Sequence, residues 1–570
     1  MKILTTLAVW TISLSLFAQK GPRPLPVEDA RMDHYLRARK IPELKISITN
    51  AAKPLSGTKV KYTAVHLGTA TQTTYYTTLD DKGKAVIKMN ENLPYQQVWL
   101  SIEGYLYTGV LVNTDLEIAI DAGALKGEAY IYRNGILFKG TDAALNEALC
   151  KKVLFRKKES DELASRLVQV CLDAANNVIS QPLFLKAADS IYTAMQQLDN
   201  AYIKDQPAYE WAIRNETDSR FYCWTIVGLK RRDSSSQHLY QKAIAHKPYF
   251  MSNEGTGFYR SLSRCYAFSD DKTLPGLQDL LYLKYPTYNS AQKAVLDSIK
   301  EWESSTADNK RATLKSLYVR RYQLLKNEVQ AADFEQFVQR VEKNSVQPRT
   351  DILKLSLMEL GKDYFSIAFP RLLNAMQTTW TKQAVQNELK TVASSQKEMQ
   401  QLFESAGPAN ADGYFIGKPV ASLSFGAQLY RLDSIASIDG LITNLRSKFS
   451  GKALVLDIWA TWCGPCIADM TNSKKLHEDA RDLPVEYIYL CTTSGSDEET
   501  WKKRIATLKP AGTHIFINEE LENALRKKLN ANGGYPTYIV IDQKGNISSD
   551  KIAFMQELNR EKFAAAIGVK

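Results

Sequence analysis

Apolar and polar residues alternate along Leu44-Lys45-Ile46-Ser47-Ile48-Thr49 and again along Lys59-Val60-Lys61-Tyr62-Thr63-Ala64-Val65. A period of two predicts strands with one buried face. The β-rich runs Val98-Trp99-Leu100-Ser101-Ile102 and Leu116-Glu117-Ile118-Ala119-Ile120 follow, and Asp80-Asp81-Lys82-Gly83-Lys84 reads as a turn between such runs. Short strands at this spacing predict an antiparallel β-sandwich over residues 19–140, entered through a Pro- and charge-rich lead-in at 19–40. Nothing in this stretch carries a catalytic pattern.

From Ala143 the period changes. Leu163 to Ala174, Ala187 to Leu198 and Ala312 to Leu325 place apolar residues at three- and four-residue intervals, so residues 141–404 are predicted to be all-α. Pro182, Pro248, Pro275, Pro286 and Pro348 mark turns between helices. Tyr209, Trp211, Tyr222 and Trp224 recur without a fixed period and are read as core packing. The small, polar segment Ser405-Ala406-Gly407-Pro408-Ala409-Asn410-Ala411-Asp412-Gly413 (405–413) reads as a linker. Beyond it, over 414–570, strands alternate with helices. Strands are expected at Ala453 to Trp459, Val485 to Leu490, His514 to Ile517 and Thr537 to Ile541. Helices are expected at Pro465 to His477, Asp497 to Leu508, Leu521 to Leu529 and Arg560 to Ile567. That alternation predicts an α/β region with a mixed sheet, the third part of a multidomain chain.

A length of 570 residues agrees with several domains. Met1-Lys2, an apolar stretch from Ile3 to Phe17 and a small residue at Ala18 predict a secretory signal peptide over residues 1–18. Fifteen or so apolar residues are short for a membrane span, which needs about 20, and no cysteine stands near the cleavage point for lipidation. The expectation is an exported protein of the periplasm or cell envelope of a Gram-negative-type bacterium, without stable membrane insertion. The formal charge of +11 comes from short basic clusters set among acids, as in Lys157-Lys158-Glu159-Ser160-Asp161-Glu162. These read as solvated helix faces, so nucleic acid is not an expected partner.

Export also changes how the seven cysteines are read. Cys150, Cys171, Cys223 and Cys265 lie in helical, apolar text and are expected to be mostly buried thiols, with Cys491 unpaired. Cys463 and Cys466 are different. They stand at a strand-to-helix junction in Trp462-Cys463-Gly464-Pro465-Cys466, where a reversible disulfide can close and a helix N-terminus stabilises a thiolate. The same spacing is also half of a zinc site, which needs two further ligands. His477 and Cys491 are unfavourably placed singletons, so no metal site is expected.

The run Leu456-Asp457-Ile458-Trp459-Ala460-Thr461-Trp462-Cys463-Gly464-Pro465-Cys466, with Gly534-Tyr535-Pro536-Thr537 downstream, resembles the thioredoxin superfamily, and within it the exported TlpA/ResA-like branch. The resemblance covers Gly413 to Lys570 and implies a thioredoxin fold there. It implies that Cys463 is the attacking nucleophile and Cys466 the resolving thiol. Asp457 matches a buried acid that transfers a proton to or from the second thiol. Gly464 and Pro465 form the intervening loop. Trp462, Tyr535 and Pro536, the last in a cis peptide bond, face the substrate. Where the family often carries Glu and then Met-Pro in the following helix, this chain has Ile467-Ala468-Asp469-Met470-Thr471. Asp469 stands in for the Glu with a shorter reach.

The implied function is thiol-disulfide exchange with protein substrates, with the Cys463–Cys466 disulfide in place of any cofactor. A Gly-Pro dipeptide between the cysteines resembles reducing thioredoxins, near −270 mV, rather than a strong oxidant near −120 mV. The expected direction is therefore reduction, with a membrane electron donor recharging the pair. Two alternatives compete. One is a non-enzymatic binding or assembly protein with a thioredoxin scaffold. The other is a thiol peroxidase, which would place Pro and Thr where this chain has Leu456 and Ala460.

Overall fold

A computed structural model describes residues 25–68, 72–89, 92–126, 132–230, 233–267, 274–304, 317, 321, 324–359, 370–410, 413–493, 496–531, 534–549 and 551–569. The signal peptide expected at 1–18 lies outside them, as does most of the helix expected from Ala312 to Leu325. The chain divides into two units, Met1–Leu389 and Lys390–Lys570, and the division falls inside the helix Thr379–Glu404. No helix among the described residues is long and apolar enough to cross a membrane.

In the first unit, eight strands form two four-stranded sheets. They are β1 (Glu43–Thr49), β2 (Lys59–Val65), β3 (Gln72–Thr78), β4 (Lys84–Lys88), β5 (Gln96–Ile102), β6 (Leu106–Val112), β7 (Leu116–Asp121) and β8 (Ile136–Lys139). The sheet orders are β4-β1-β7-β8 and β3-β2-β5-β6. Leu44, Ile46 and Ile48 of β1 pack in one hydrophobic cluster with Val98, Leu100 and Ile102 of β5, so both sheets turn an apolar face to a shared core. The predicted turn is present: Asp80 Oδ1 accepts from the N–H groups of Lys82 (2.9 Å) and Lys84 (2.7 Å), and Gly83 sits at φ +69°. One pair departs from the antiparallel expectation. β1 and β7 run parallel, Leu44 opposite Leu116 and Ile48 opposite Ile120. Parallel neighbours need a long crossover, and here the chain between them supplies it by building the second sheet.

Helices follow from Ala143–Leu154 to Arg349–Lys354. They carry buried apolar stripes, such as Leu163, Leu167, Cys171 and Ala174 of Lys157–Ala175. The lead-in is tied to them by a buried pair: Arg349 Nε and Nη2 each reach a Glu28 carboxylate oxygen at 2.6 Å. Cys150 and Cys171 are buried thiols outside any disulfide. Lys157 pairs with Asp161 on an exposed helix face, which is the solvated arrangement expected of that basic cluster.

The second unit is a seven-stranded mixed sheet in the order β15-β14-β11-β12-β13-β10-β9. Its strands are β9 (Lys418–Ser422), β10 (Ala427–Leu432), β11 (Ala453–Trp459), β12 (Val485–Thr492), β13 (Gly512–Ile517), β14 (Thr537–Ile541) and β15 (Ile547–Ser548). β11 is buried along its whole length, between parallel β12 and antiparallel β14. The segment 405–413, read as a linker, is laid on this unit where described. Ser422 N–H donates to Gly407 O at 2.8 Å, Tyr430 Oη to Asn410 O at 2.9 Å, and Ala409 is buried in the core. The helix expected over Pro465 to His477 is two helices, Gly464–Asn472 and Lys474–Asp479, because the chain turns at Ser473.

Asp469 fastens the first of these helices. Its carboxylate accepts from Tyr538 Oη and from the N–H groups of Met555 (2.9 Å) and Gln556 (2.8 Å), joining the helix to β14 and to the turn Met555–Glu557. Removing it strands two buried donors and a part-buried one, so Asp469→Ala should lower the unfolding free energy of this unit by roughly 3 kcal/mol. Urea denaturation followed by circular dichroism measures this, and a loss below about 1 kcal/mol would show the anchor to be dispensable.

Candidate functional site

The site forms where β11 ends and the helix Gly464–Asn472 begins. Odd-numbered residues of β11 point to one face of the sheet. Val455 packs there in the cluster containing Phe563, and Trp459 packs with Cys463, Cys466 and Met470. Asp457 lies between the two. The strand therefore brings a carboxylate and the paired sulfurs to the same side.

Cys463 is the N-cap of the helix. Other helices of this unit begin with an oxygen acceptor: Ser437, Asp497, Asn518 and Asn559 each receive a backbone N–H from the first turn. In the redox helix the acceptor is sulfur, with Cys466 N–H donating to Cys463 Sγ at 3.1 Å. A thiolate at that position receives a charge-assisted hydrogen bond and the positive end of the helix dipole. Pro465 occupies the first turn, where its missing N–H costs nothing. Cys463 and Cys466 are joined in a disulfide, with Cα atoms 5.4 Å apart. Both are buried, Cys463 at 3 % exposure and Cys466 at 1 %. An attacking thiol is expected to be exposed, at the start of its helix. The disulfide instead draws its sulfur into the cluster of Trp459, Ala460 and Met470.

Trp462 is the exposed member of the motif, at 55 %. Its ring meets the edge of Tyr535 at 5.5 Å between centroids and 88° between planes. The Tyr535–Pro536 bond is cis. Two residues separated by more than seventy positions thus share one side of the site. The loop before Cys463 is held as well: Thr461 N–H donates to Ser496 Oγ at 3.1 Å, and Arg504 Nε donates to Thr461 O at 3.2 Å.

Asp457 is buried, and its Oδ1 has no hydrogen-bond partner among the described residues. Burial, and then the charge of Asp469, push its carboxyl well above the usual carboxylate range. It lines a small cavity with Met470, Ser473, His477, Tyr487, Tyr489 and Tyr538. About 10 Å³ there is open to a water-sized sphere, room for a single water. His477, weighed as a zinc ligand, stacks on Tyr487 at 4.2 Å, and burial lowers its pKa to about 4. Cys491 lies in the same cluster as the disulfide, and burial drives its thiol well up, which keeps it protonated and unreactive.

Sequence reasoning missed Ser496, Arg504 and Glu522, the buried acceptor of the Tyr535 hydroxyl at 2.7 Å. Each reads in the sequence as an ordinary polar residue near a helix. Asp469, read as standing in for the family's Glu, has its oxygens occupied by the three donors that anchor the helix.

Residues 435–567 match the Redoxin family model. Thioredoxin-like protein YneN of Bacillus subtilis (strain 168) is 26% identical over 129 residues, 23% of this chain and 72% of that protein. Among solved structures, the thioredoxin domain of a thiol-disulfide oxidoreductase from Bacteroides vulgatus shares 20% identity at a TM-score of 0.18, covering 21% of this chain and 81% of the other. A thiol:disulfide interchange protein of the thioredoxin family from Chlorobium tepidum TLS shares 18% identity at a TM-score of 0.20, covering 29% of this chain and 94% of the other. The family match at 435–567 encloses both the paired cysteines and the cis Tyr535–Pro536 bond, so it is this C-terminal part of the chain that is similar to the thioredoxin-like proteins.

Proposed function

We propose that the protein is an exported reductant of protein disulfides in the cell envelope, acting through a mixed disulfide on Cys463. The observation that carries this reading is the Cys463–Cys466 disulfide at the head of a helix, with Cys463 Sγ capping the first turn. In the reduced enzyme the Cys463 thiolate attacks one sulfur of a substrate disulfide. A Cys463–substrate bond forms, the substrate S–S bond breaks, and the departing sulfur takes a proton. Cys466 then loses its proton to the Asp457 carboxylate and attacks Cys463 Sγ. The second substrate thiol leaves, and the Cys463–Cys466 bond closes. The substrate gains two electrons from the enzyme dithiol and two protons, one that left Cys466 through Asp457 and one from solvent, which had received it when Cys463 ionised. An envelope dithiol donor, itself served through a membrane electron carrier, must reduce the pair for the next turnover. Trp462 and the backbone at Tyr535 flank the sulfur and receive the substrate chain. The predicted signal peptide at residues 1–18 and the Gly464-Pro465 dipeptide support export and the reducing direction.

The intermediate is the direct test. Cys466→Ser should accumulate covalent, reductant-sensitive partners in the envelope fraction, and Cys463→Ser should accumulate none. Absence of trapped protein from the Cys466→Ser chain would favour the scaffold reading. The potential of the wild-type pair, titrated against glutathione, should fall below about −180 mV, and a higher value would reverse the direction.

Asp457 gives two linked expectations. Its folded pKa is raised, so the stability contribution of this group is full below the ordinary carboxylate pKa and is lost as pH rises through the raised value. Asp457→Asn should therefore unfold at a higher temperature than wild type at pH 8–9, and the advantage should vanish in acid. The same substitution removes the proton acceptor for Cys466 and should slow resolution of the mixed disulfide by about 10²-fold or more in stopped-flow exchange. An unchanged resolution rate would remove Asp457 from the mechanism.

A further inference from the structure

Glu522 and Arg526 stand four residues apart on the helix Glu519–Lys528 and form an ion pair, Arg526 Nε to Glu522 Oε1 at 2.8 Å. Pairs at this spacing are ordinary on solvated helices and contribute little there. This one is not solvated: the side chains are 12 % and 4 % exposed. A buried pair gives up hydration that its own attraction often fails to return, so its further bonds are informative.

Those bonds converge on one loop. Glu522 Oε1 also accepts from Tyr535 Oη at 2.7 Å. Arg526 Nη1 donates to Thr537 Oγ1 at 3.1 Å and Nη2 to Gly534 O at 3.3 Å. The guanidinium lies over the Tyr535 ring, 5.0 Å from its centroid. Thr537 Oγ1 closes the loop on itself by donating to Gly534 O at 2.7 Å. The pair thus grips the residues on both sides of the cis Tyr535–Pro536 bond, and the gripped Tyr535 ring sets the edge against which Trp462 rests.

We infer that Glu522 and Arg526 are positioning residues that fix the Gly534–Thr537 backbone and the Tyr535–Trp462 wall for an extended polypeptide in the mixed-disulfide complex. The inference rests on the reading that Cys463 exchanges with protein disulfides. A polypeptide lies along the loop and requires that its main chain be held in place. A small disulfide presents little beyond its sulfurs to Cys463 and has no such requirement. The pair therefore governs how well protein substrates bind and leaves the sulfur chemistry alone.

The test uses the full chain with insulin as the protein disulfide and 5,5′-dithiobis(2-nitrobenzoate) as the small one. Arg526→Gln should raise KM for insulin about tenfold, with kcat and the small-disulfide rate within about twofold of wild type. The redox potential should be unchanged. Arg526→Lys keeps a charge opposite Glu522 but lacks the fork that reaches Gly534 and Thr537, so it should show the same split while preserving the fold. Tyr535→Phe, which removes the hydroxyl shared between Glu522 and Thr492 while keeping the ring under Arg526, should raise KM about threefold. Equal losses on both substrates, a shifted potential, or an unchanged KM for insulin in an active Arg526→Lys enzyme would overturn the inference while leaving the exchange reading intact. A wild-type chain that reduces neither substrate would overturn both.

Discussion

The hydrogen bond from Cys466 N–H to Cys463 Sγ is the interaction around which the rest of the second unit is arranged. The helix starts at Gly464, with four residues between it and the end of β11 at Trp459, and for Cys463 to cap it across so short a loop both elements must be immobile. β11 provides the immobility. It is buried on both faces and paired along both edges, which gives it the most constrained backbone available in such a sheet. The helix is fixed from its far side by Asp469, which binds two backbone N–H groups and a tyrosine hydroxyl. With the strand and the helix each held independently, the loop between them has little freedom. Ser496 and Arg504 remove much of what remains at Thr461.

Two aspartates close to this helix are treated in opposite ways. Asp469 has donors on both oxygens and serves as a fastening. Asp457 has an oxygen with no partner among the described residues, sits beside room for one water, and is disfavoured as an anion by burial and by the neighbouring Asp469. An unpartnered buried carboxyl costs stability. The cost is intelligible if the group must alternate between carboxyl and carboxylate as the pair opens and closes. Any donor placed on that oxygen would favour the anion and impair the return of the proton. On the proposed mechanism, the fastening and the proton acceptor are then separate residues.

What could be read from the sequence was what depends on near neighbours. Strand periodicity, the Asp80–Lys84 turn, the helical stripes and the Cys-x-x-Cys junction are local patterns with local causes. The parallel pairing of β1 with β7 was not legible, since a period of two reports which face is buried and says nothing of strand direction. β9 and β10 were not read from the sequence because they follow the Gly- and Pro-containing segment at 405–413 and lack a continuous apolar run such as that of β11. The cis bond at Pro536 came from resemblance alone, because the dipeptide itself favours trans. Glu522 and Arg526 were invisible for a further reason. Their spacing is that of any exposed helix pair, and only the tertiary fold shows what they grip.

The surroundings of the disulfide also bear on which sulfur chemistry the site favours. A peroxidatic cysteine needs donors aimed at the bound peroxide, from a threonine hydroxyl and an arginine or backbone N–H beside it. The positions at which such a protein would carry Pro and Thr hold Leu456 and Ala460, both wholly buried among apolar side chains. Arg504, the cation nearest in the loop's hydrogen-bond network, is engaged on the carbonyl of Thr461. What the site offers instead is an aromatic wall, a backbone loop held open beside it, and a partner thiol one helical turn away. These are the requirements of a substrate that brings its own sulfur and its own chain. Under the proposed exchange reaction a polypeptide could use these surfaces, whereas position 460 offers a peroxide no hydroxyl.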